Sequence, residues 1–206
     1  MTHSIAPSHS GLCVRFKEIA LSFGLLTVMT GLLYPALTTG AAQMLMPAQA
    51  SGSPVYANDR LVGSALIGQN WSKTPYFQTR PSAVDWNGAS SGASNFGPAH
   101  PQLIESVKER LAAWQRLRGD QTPVPVDLLT TSGSGLDPHI SRDAAIYQVP
   151  IVSRQTGLSE ASLRTLIDNL DEAGLFGRHH YVNVLKLNLD VESLLTETSS
   201  KPSHAL

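Results

Sequence analysis

The residues with most chemical potential lie in one stretch, Thr130-Thr-Ser-Gly-Ser-Gly-Leu-Asp-Pro-His-Ile-Ser141, where glycines and hydroxyls lead into Asp137, Pro138 and His139. Ser141 can cap a helix starting at Arg142, and the N–H groups at a helix N-terminus attract anions, so this loop is a candidate for binding an anion or a nucleotide. Against a phosphate loop, the spacing Gly-x-x-x-x-Gly-Lys-Ser/Thr is absent, no lysine stands nearby, and the Asp137 carboxylate repels phosphate. Ser132 or Ser134 with His139 and Asp137 has the composition of a hydrolase triad. Neighbours so close in sequence seldom meet with triad geometry, and Gly-x-Ser-x-Gly fits neither serine, because position 132 is serine. No catalytic residue is expected. Two readings stay open: a turn in which Asp137 and the serines satisfy backbone donors, or a binding or interface surface.

Other chemistry is sparse. His179 and His180 are adjacent, so on a strand they point to opposite faces, and neither His-x-x-x-His nor carboxylate-rich calcium spacing occurs; no metal is expected. The lone cysteine, Cys13, excludes an intrachain disulfide and reads as a bystander thiol or a juxtamembrane acylation site. The aromatic group Trp71, Tyr76, Phe77, Trp86 and Phe96 reads as core or as a partner contact.

The elements that must position these residues begin with an apolar run. From Ile19 to Asn58 there is no Asp, Glu, Lys or Arg. Ile19–Thr39 alone supplies the roughly 20 helical residues that match a hydrocarbon core of roughly 30 Å. Arg15 and Lys17 precede the run and no basic residue follows it before Arg60, which places the N-terminus in the cytoplasm and the rest outside. The rival reading is a cleavable signal peptide with a processing site at Ala48-Gln-Ala50; the run is long for that, and either way the main domain is exported. Pro35 is expected to kink the helix, and Gly24, Thr27, Thr30, Gly31 and Thr38 to favour close helix packing. Of 15 Lys and Arg and 16 Asp and Glu, only Arg15, Lys17 and Glu18 precede the run, so the exported part carries a net charge of −2 and no nucleic-acid footprint.

The fold class read from the pattern is α+β: one N-terminal transmembrane helix followed by a single small extracytoplasmic mixed α/β domain. The expected divisions are a cytoplasmic tail 1–18, the membrane helix 19–39, a linker 40–58, the domain 59–192 and a flexible tail 193–206. Leu61 to Gly68 predicts a strand, and residues 72–101, dense in Pro, Gly, Ser and Asn, predict a long irregular loop. Leu103, Ile104, Val107, Leu111 and Trp114 predict a helix from Pro101 to Arg118 that Gly119 ends. Val124–Thr130 reads as a short edge strand. Ser141 starts a helix that Pro150 bends or interrupts, and Leu163, Leu166, Ile167 and Leu170 mark another between Ser159 and Glu172, with Gly174 as its stop. Val182–Val191 alternates in two phases that switch between Val184 and Leu185, which reads as a strand with a bulge.

Six motifs occur in order behind that apolar helix: Gly63-Ser-x-Leu-Ile-Gly-Gln69, Tyr76-Phe-x-x-Arg-Pro-Ser-Ala83, Ser91-Gly-x-Ser-Asn95 with Gly97-Pro98, Val124-Pro-Val-Asp-Leu128, Ser132-Gly-Ser-Gly-Leu-Asp-Pro-His-Ile-Ser141 and Val182-Asn-Val-Leu-x-Leu-Asn188. From Ile19 to Asp190 the set resembles the C subunit of Kdp-type potassium-transporting P-type ATPases. Departures are Ala93 where glycine is common, Trp86 where tyrosine is usual, and the stretch around His179 and His180.

The resemblance implies a non-catalytic accessory subunit of a bacterial inner-membrane complex. Its partners would be a channel-like potassium-translocating subunit, a P-type ATPase subunit that hydrolyses ATP, a small additional membrane subunit and the lipid bilayer. It implies no tightly bound cofactor, K⁺ as the complex's cargo, and a role in stabilising the assembly. It also implies a catalytic chaperone raising the pump's ATP affinity through a glutamine that falls at Gln148. The charge-derived topology puts Gln148 outside and ATP inside, which favours instead a domain that caps the outer mouth of the channel-like subunit. A tethered exported binding module without a pump is the alternative. The candidate binding or interface residues are thus Ser132, Ser134, Asp137 and His139 in the loop, Arg80 and Asn95 from the matched motifs, and Gln148 as the glutamine the resemblance implies.

Overall fold

The computed structural model describes residues 9–72, 74–174 and 179–200, which divide into two compact units on either side of the Ser53–Pro54 bond. The first is a continuous helix followed by one short turn of helix. It comprises α1 (His9–Val28), a π-helical turn (Met29–Leu33), α2 (Tyr34–Leu45) and α3 (Pro47–Ala50). Proline at position 35 has no N–H and its ring crowds the preceding turn; the helix meets this by widening ahead of it, with the Tyr34 N–H reaching back five residues to the Met29 carbonyl. The threonines turn inward on the helix itself: Thr27, Thr30 and Thr38 donate to the carbonyls of Phe23, Leu26 and Tyr34 at 2.7–2.9 Å. That leaves no hydroxyl of the three unsatisfied in an apolar solvent. Phe16, Leu21, Phe23 and Leu37 are all exposed along it. Among the described residues, Arg15–Leu45 is the one helix long and apolar enough to cross a membrane, and it outlasts the expected end at Thr39.

The second unit opens on a hairpin, β1 (Pro54–Ala57) with β2 (Arg60–Ser64), antiparallel around Asn58 and Asp59. Both turn residues take positive φ, +49° and +59°, the backbone that matches strand twist in a two-residue hairpin. β1 thus lies inside the stretch expected to be linker, and the expected strand Leu61–Gly68 ends at Ser64. Residues 65–100 contain no helix or strand among those described, as composition predicts for the part from 72 onward.

α4 (Pro101–Arg118) is capped by the His100 ring, whose Nδ1 accepts the Gln102 N–H at 3.2 Å, and ends at Gly119 with φ +84°. The expected edge strand at Val124–Thr130 is instead one 3₁₀ turn, Val126–Leu128. The carbonyls of Leu128 and Leu129 are taken by side chains of α4 rather than by a neighbouring strand: Trp114 Nε1 donates to Leu128 at 3.2 Å and Arg110 to Leu129 at 2.8 Å.

α5 (Arg142–Thr156) is capped by Ser141 Oγ, which accepts the Ala144 N–H at 3.2 Å; it continues through Pro150 and stops at Gly157. α6 (Glu160–Asn169) buries Leu163 and Ile167. It ends before the expected Gly174, because Glu172–Ala173 forms β4 and the Gly174 N–H bonds the His179 carbonyl at 2.7 Å. β3 (His139–Ser141), β5 (His180–Asn183) and β4 form one antiparallel sheet in the order β3-β5-β4.

The expected bulged strand through Val191 is a junction. β5 stops at Asn183, and α7 (Val184–Ser200) takes over, occupying part of the expected flexible tail. Asn183 Oδ1 accepts the Lys186 N–H at 3.2 Å and starts the helix, after which Val184, Leu187 and Val191 share one buried face.

The core forms where α5, α6, α7 and the sheet meet, with Leu163, Ile167, Val182 and Leu187 fully buried together with Phe77 from the irregular segment. That segment is held without a partner strand. Asn188 of α7 brackets Phe77, accepting its N–H and donating to its carbonyl, both at 2.9 Å. Gln148 of α5 does the same to Gln78, at 2.7 and 3.2 Å. Two buried side-chain amides thereby supply the ladder bonds that a strand would have given.

Candidate functional site

The Gly- and Ser-rich loop 130–138 is laced to the irregular segment 80–94. Ser82 Oγ donates to the Gly135 carbonyl at 2.7 Å, the Gly92 N–H and the Ser91 hydroxyl donate to Ser134 O at 2.8 and 3.2 Å, and Thr131 Oγ1 lies 3.3 Å from Ser94 Oγ. From the other side, the Gly68 N–H donates to Leu136 O at 2.8 Å. Two glycines permit this closeness. A Cβ on Gly68 would stand 2.5 Å from the Asp137 carbonyl oxygen, and one on Gly135, which has φ +68°, would meet Val84 and the Gly92 carbonyl at 2.6 and 2.7 Å. The result is a two-loop platform whose shape is fixed by backbone contacts.

On the platform, Arg80, Asp137 and His139 come together. Arg80 reaches the Asp137 carboxylate at 3.4 Å and the Thr131 carbonyl at 3.3 Å. Asp137 Oδ1 accepts the His139 N–H at 3.0 Å, the side-chain-to-backbone turn expected of an Asp-Pro-His sequence. Asn183 Nδ2 donates to the Ala65 carbonyl at 2.8 Å and lies 3.4 Å from His139 Nε2. With Asn183 donating, the ring proton sits on Nδ1, which faces Asp137 Oδ1 at 3.7 Å, an electrostatic contact longer than a hydrogen bond. Burial pushes the Asp137 carboxyl up, but His139 and the Arg80 guanidinium outweigh it and hold the group below its ordinary value.

These residues line one wall of an open cleft of about 490 Å³ whose other walls carry Asp127, Arg142, Asp143, His179 and His180. Asp127 accepts the Ser141 N–H at 2.6 Å, tying the 3₁₀ turn to the start of α5. Across the cleft Arg142 pairs with Asp168 at 2.6 Å, and His180 Nδ1 with Asp171 at 2.8 Å. Carboxylates and cations alternate around the opening, so it lacks the one-signed field that gathers phosphate. Mixed charge of this kind complements a polar protein surface.

The other expected residues have distinct positions. Ser132 is buried and its N–H donates to Pro81 O at 3.3 Å; Ser134 is exposed at the loop crest, its Oγ accepting the Leu136 N–H at 3.1 Å. Asn95 is exposed on the neighbouring loop with φ +56°. Gln148 is not on the platform: it is buried in α5, and its amide bonds Gln78 and the Ala144 carbonyl. Asp127 and Asn183 were legible as members of the matched motifs, yet their roles were not. For Asn183 the signal was present, a helix-capping residue followed by apolar positions at helical steps.

Comparison with known proteins identifies the family. The family model described as "KdpC: K+-transporting ATPase, c chain" matches residues 16–193. Potassium-transporting ATPase KdpC subunits are similar along nearly their whole length. That of Pectobacterium atrosepticum is 46% identical over 82% of this chain and 92% of its own. That of Polynucleobacter asymbioticus is 47% identical over 82% and 93%. That of Ralstonia nicotianae is 44% identical over 93% and 96%. The matched span takes in the long apolar helix, the two-loop platform and the start of α7, and the chain belongs to the KdpC family of K⁺-transporting ATPase subunits.

Proposed function

We propose that this chain is the membrane-anchored accessory subunit of a potassium-transporting ATPase, with its folded unit on the outer side of a bacterial inner membrane. There the two-loop platform caps the outer mouth of the channel-like subunit and steadies the assembly. As a KdpC-family chain it is an accessory subunit rather than the ATP-hydrolysing one. The observation that carries the placement is the exposed apolar helix Arg15–Leu45, with basic residues only on its N-terminal flank.

Of the two roles open to Asp137, contact with a protein partner is favoured over contact with a passing cation, because Arg80 already offsets its charge. The buried engagement of Gln148 with main chain favours the outer, potassium-side account over a direct nucleotide contact that would raise ATP affinity. On this reading the chain holds no cofactor of its own, and ATP belongs to the P-type ATPase subunit. The remaining partners are a small additional membrane subunit and the bilayer.

Detergent extraction followed by purification through a tag on this chain tests the reading. Recovery with large membrane partners supports the accessory subunit, whereas a solitary monomer supports a tethered binding module. In recovered complexes, Asp137→Ala should lower potassium affinity or weaken assembly; unchanged transport and normal assembly would remove the platform from the mechanism.

A further inference from the structure

A second cleft lies between α4, α5 and the irregular segment, apart from the Asp137 platform. Its floor is apolar and belongs to the core: Leu128, Ile151 and Val152 are all nearly inaccessible. Its walls are the rings of Tyr76, Trp86 and Trp114, and Leu117, half exposed, forms part of the rim. The space is about 280 Å³. That is below the roughly 300–1,000 Å³ of sites for drug-sized ligands, and suits one or two large apolar side chains.

Two features set this cleft apart from an ordinary surface groove. The first is Arg110. Its guanidinium lines the cleft half-buried, with the Leu129 carbonyl as its acceptor at 2.8 Å, and among the described residues no carboxylate pairs with it. Burial holds its pKa below the usual guanidinium range, with only its sequence neighbour Glu109 acting the other way. A partly desolvated cation beside aromatic walls, with no carboxylate paired to it, favours an incoming anion. The second is backbone strain. Asp85 and Trp86 both take positive φ, +52° and +53°, a conformation bulky side chains avoid. Ser82 Oγ holds the turn by accepting the N–H groups of Val84 and Trp86 at 3.1 and 3.0 Å, and the strained turn presents Trp86 to the cleft.

We propose that this cleft docks a peptide segment of a partner subunit that inserts an apolar side chain between Trp86 and Trp114 and sets an adjacent Asp or Glu carboxylate against Arg110. The inference rests on the accessory-subunit reading and names one contact by which such a subunit grips its complex. Aromatic walls around a half-buried arginine are the composition of an interface hot spot.

The test uses the full complex purified through a tag on this chain. Leu117 is at the rim and outside the core, so its variants leave the fold intact. Leu117→Asp, which sets a like charge against the incoming carboxylate, should weaken retention of the partner about tenfold or more, and Leu117→Lys should not. Arg110→Gln should weaken retention similarly, and Arg110→Lys should restore most of it. A photo-crosslinking residue at Leu117 should capture a partner-subunit segment with an Asp or Glu within four residues of the crosslinked site. Equal retention for Leu117→Asp and Leu117→Lys in an intact complex overturns the inference, as does a crosslink confined to lipid or to a segment without a carboxylate. Either result leaves the accessory-subunit reading standing. A chain recovered alone overturns both.

Discussion

Gln148 holds the main chain of Gln78 at both of its polar groups, Oε1 accepting the N–H at 2.7 Å and Nε2 donating to the carbonyl at 3.2 Å. Gln148→Ala leaves those groups short of partners and should destabilise the fold by about 2–4 kcal/mol. Gln148→Glu keeps the acceptor and loses the donor, and should also be destabilising. Chemical denaturation of the purified protein without nucleotide is the measurement. A variant as stable as the wild type would show that the side chain serves something other than this backbone clamp.

Glycine is required at some points of the platform and dispensable at others. Gly68→Ala drives a methyl against the Asp137 carbonyl and should cost about 1–3 kcal/mol and displace the Asp137 loop. Gly133→Ala meets nothing within 4 Å and should be close to neutral. Thermal melts of the two variants should differ clearly, and a neutral Gly68→Ala would mean that the loops pack less closely than described.

Asp137 should contribute to acid sensitivity. Its folded-state pKa lies below the unfolded value of about 3.9, so its stabilising contribution is present above that value and lost as pH falls through the folded one. Asp137→Asn removes this dependence. Stability measured between about pH 6 and pH 2 should fall more steeply for the wild type than for the variant, and parallel curves would contradict the Arg80–Asp137–His139 arrangement.

Asn183 serves as the junction between β5 and α7. Asn183→Ala removes a helix cap and a bond to Ala65, and should cost about 1–3 kcal/mol. Asn183→Asp keeps the cap acceptor and should cost less. Urea unfolding midpoints order the three proteins, and equal midpoints would count against the cap.

Much of this architecture was legible because its signals are local. Pro101 and Gly119 delimit α4, Ser141 and Ser159 cap α5 and α6, and the uncharged run marks the long helix. What was not legible depends on distant contacts. The phase switch at Val184 and Leu185 is the same pattern for a bulge and for a strand entering a helix, and only the burial of Val184, Leu187 and Val191 on one face separates them. Val124–Thr130 has strand-like residues, but α4 takes the carbonyls of Leu128 and Leu129. The loop residues Asp137 and His139 were found by type and spacing, and Arg80, 57 positions from Asp137, entered through its motif; their meeting is a tertiary fact. Gln148 entered only through the family resemblance, and its bond to the Gln78 main chain, 70 residues away in sequence, is a tertiary contact with no local signal.

The account stands on the folded unit lying outside the cytoplasm. With Cys13, the chain's single cysteine, replaced by serine, a cysteine introduced at the exposed Gly133 should react with a membrane-impermeant maleimide in intact spheroplasts, to the same extent as after lysis. Labelling that appears only once the membrane is opened would place the platform on the ATP side and contradict the capping role.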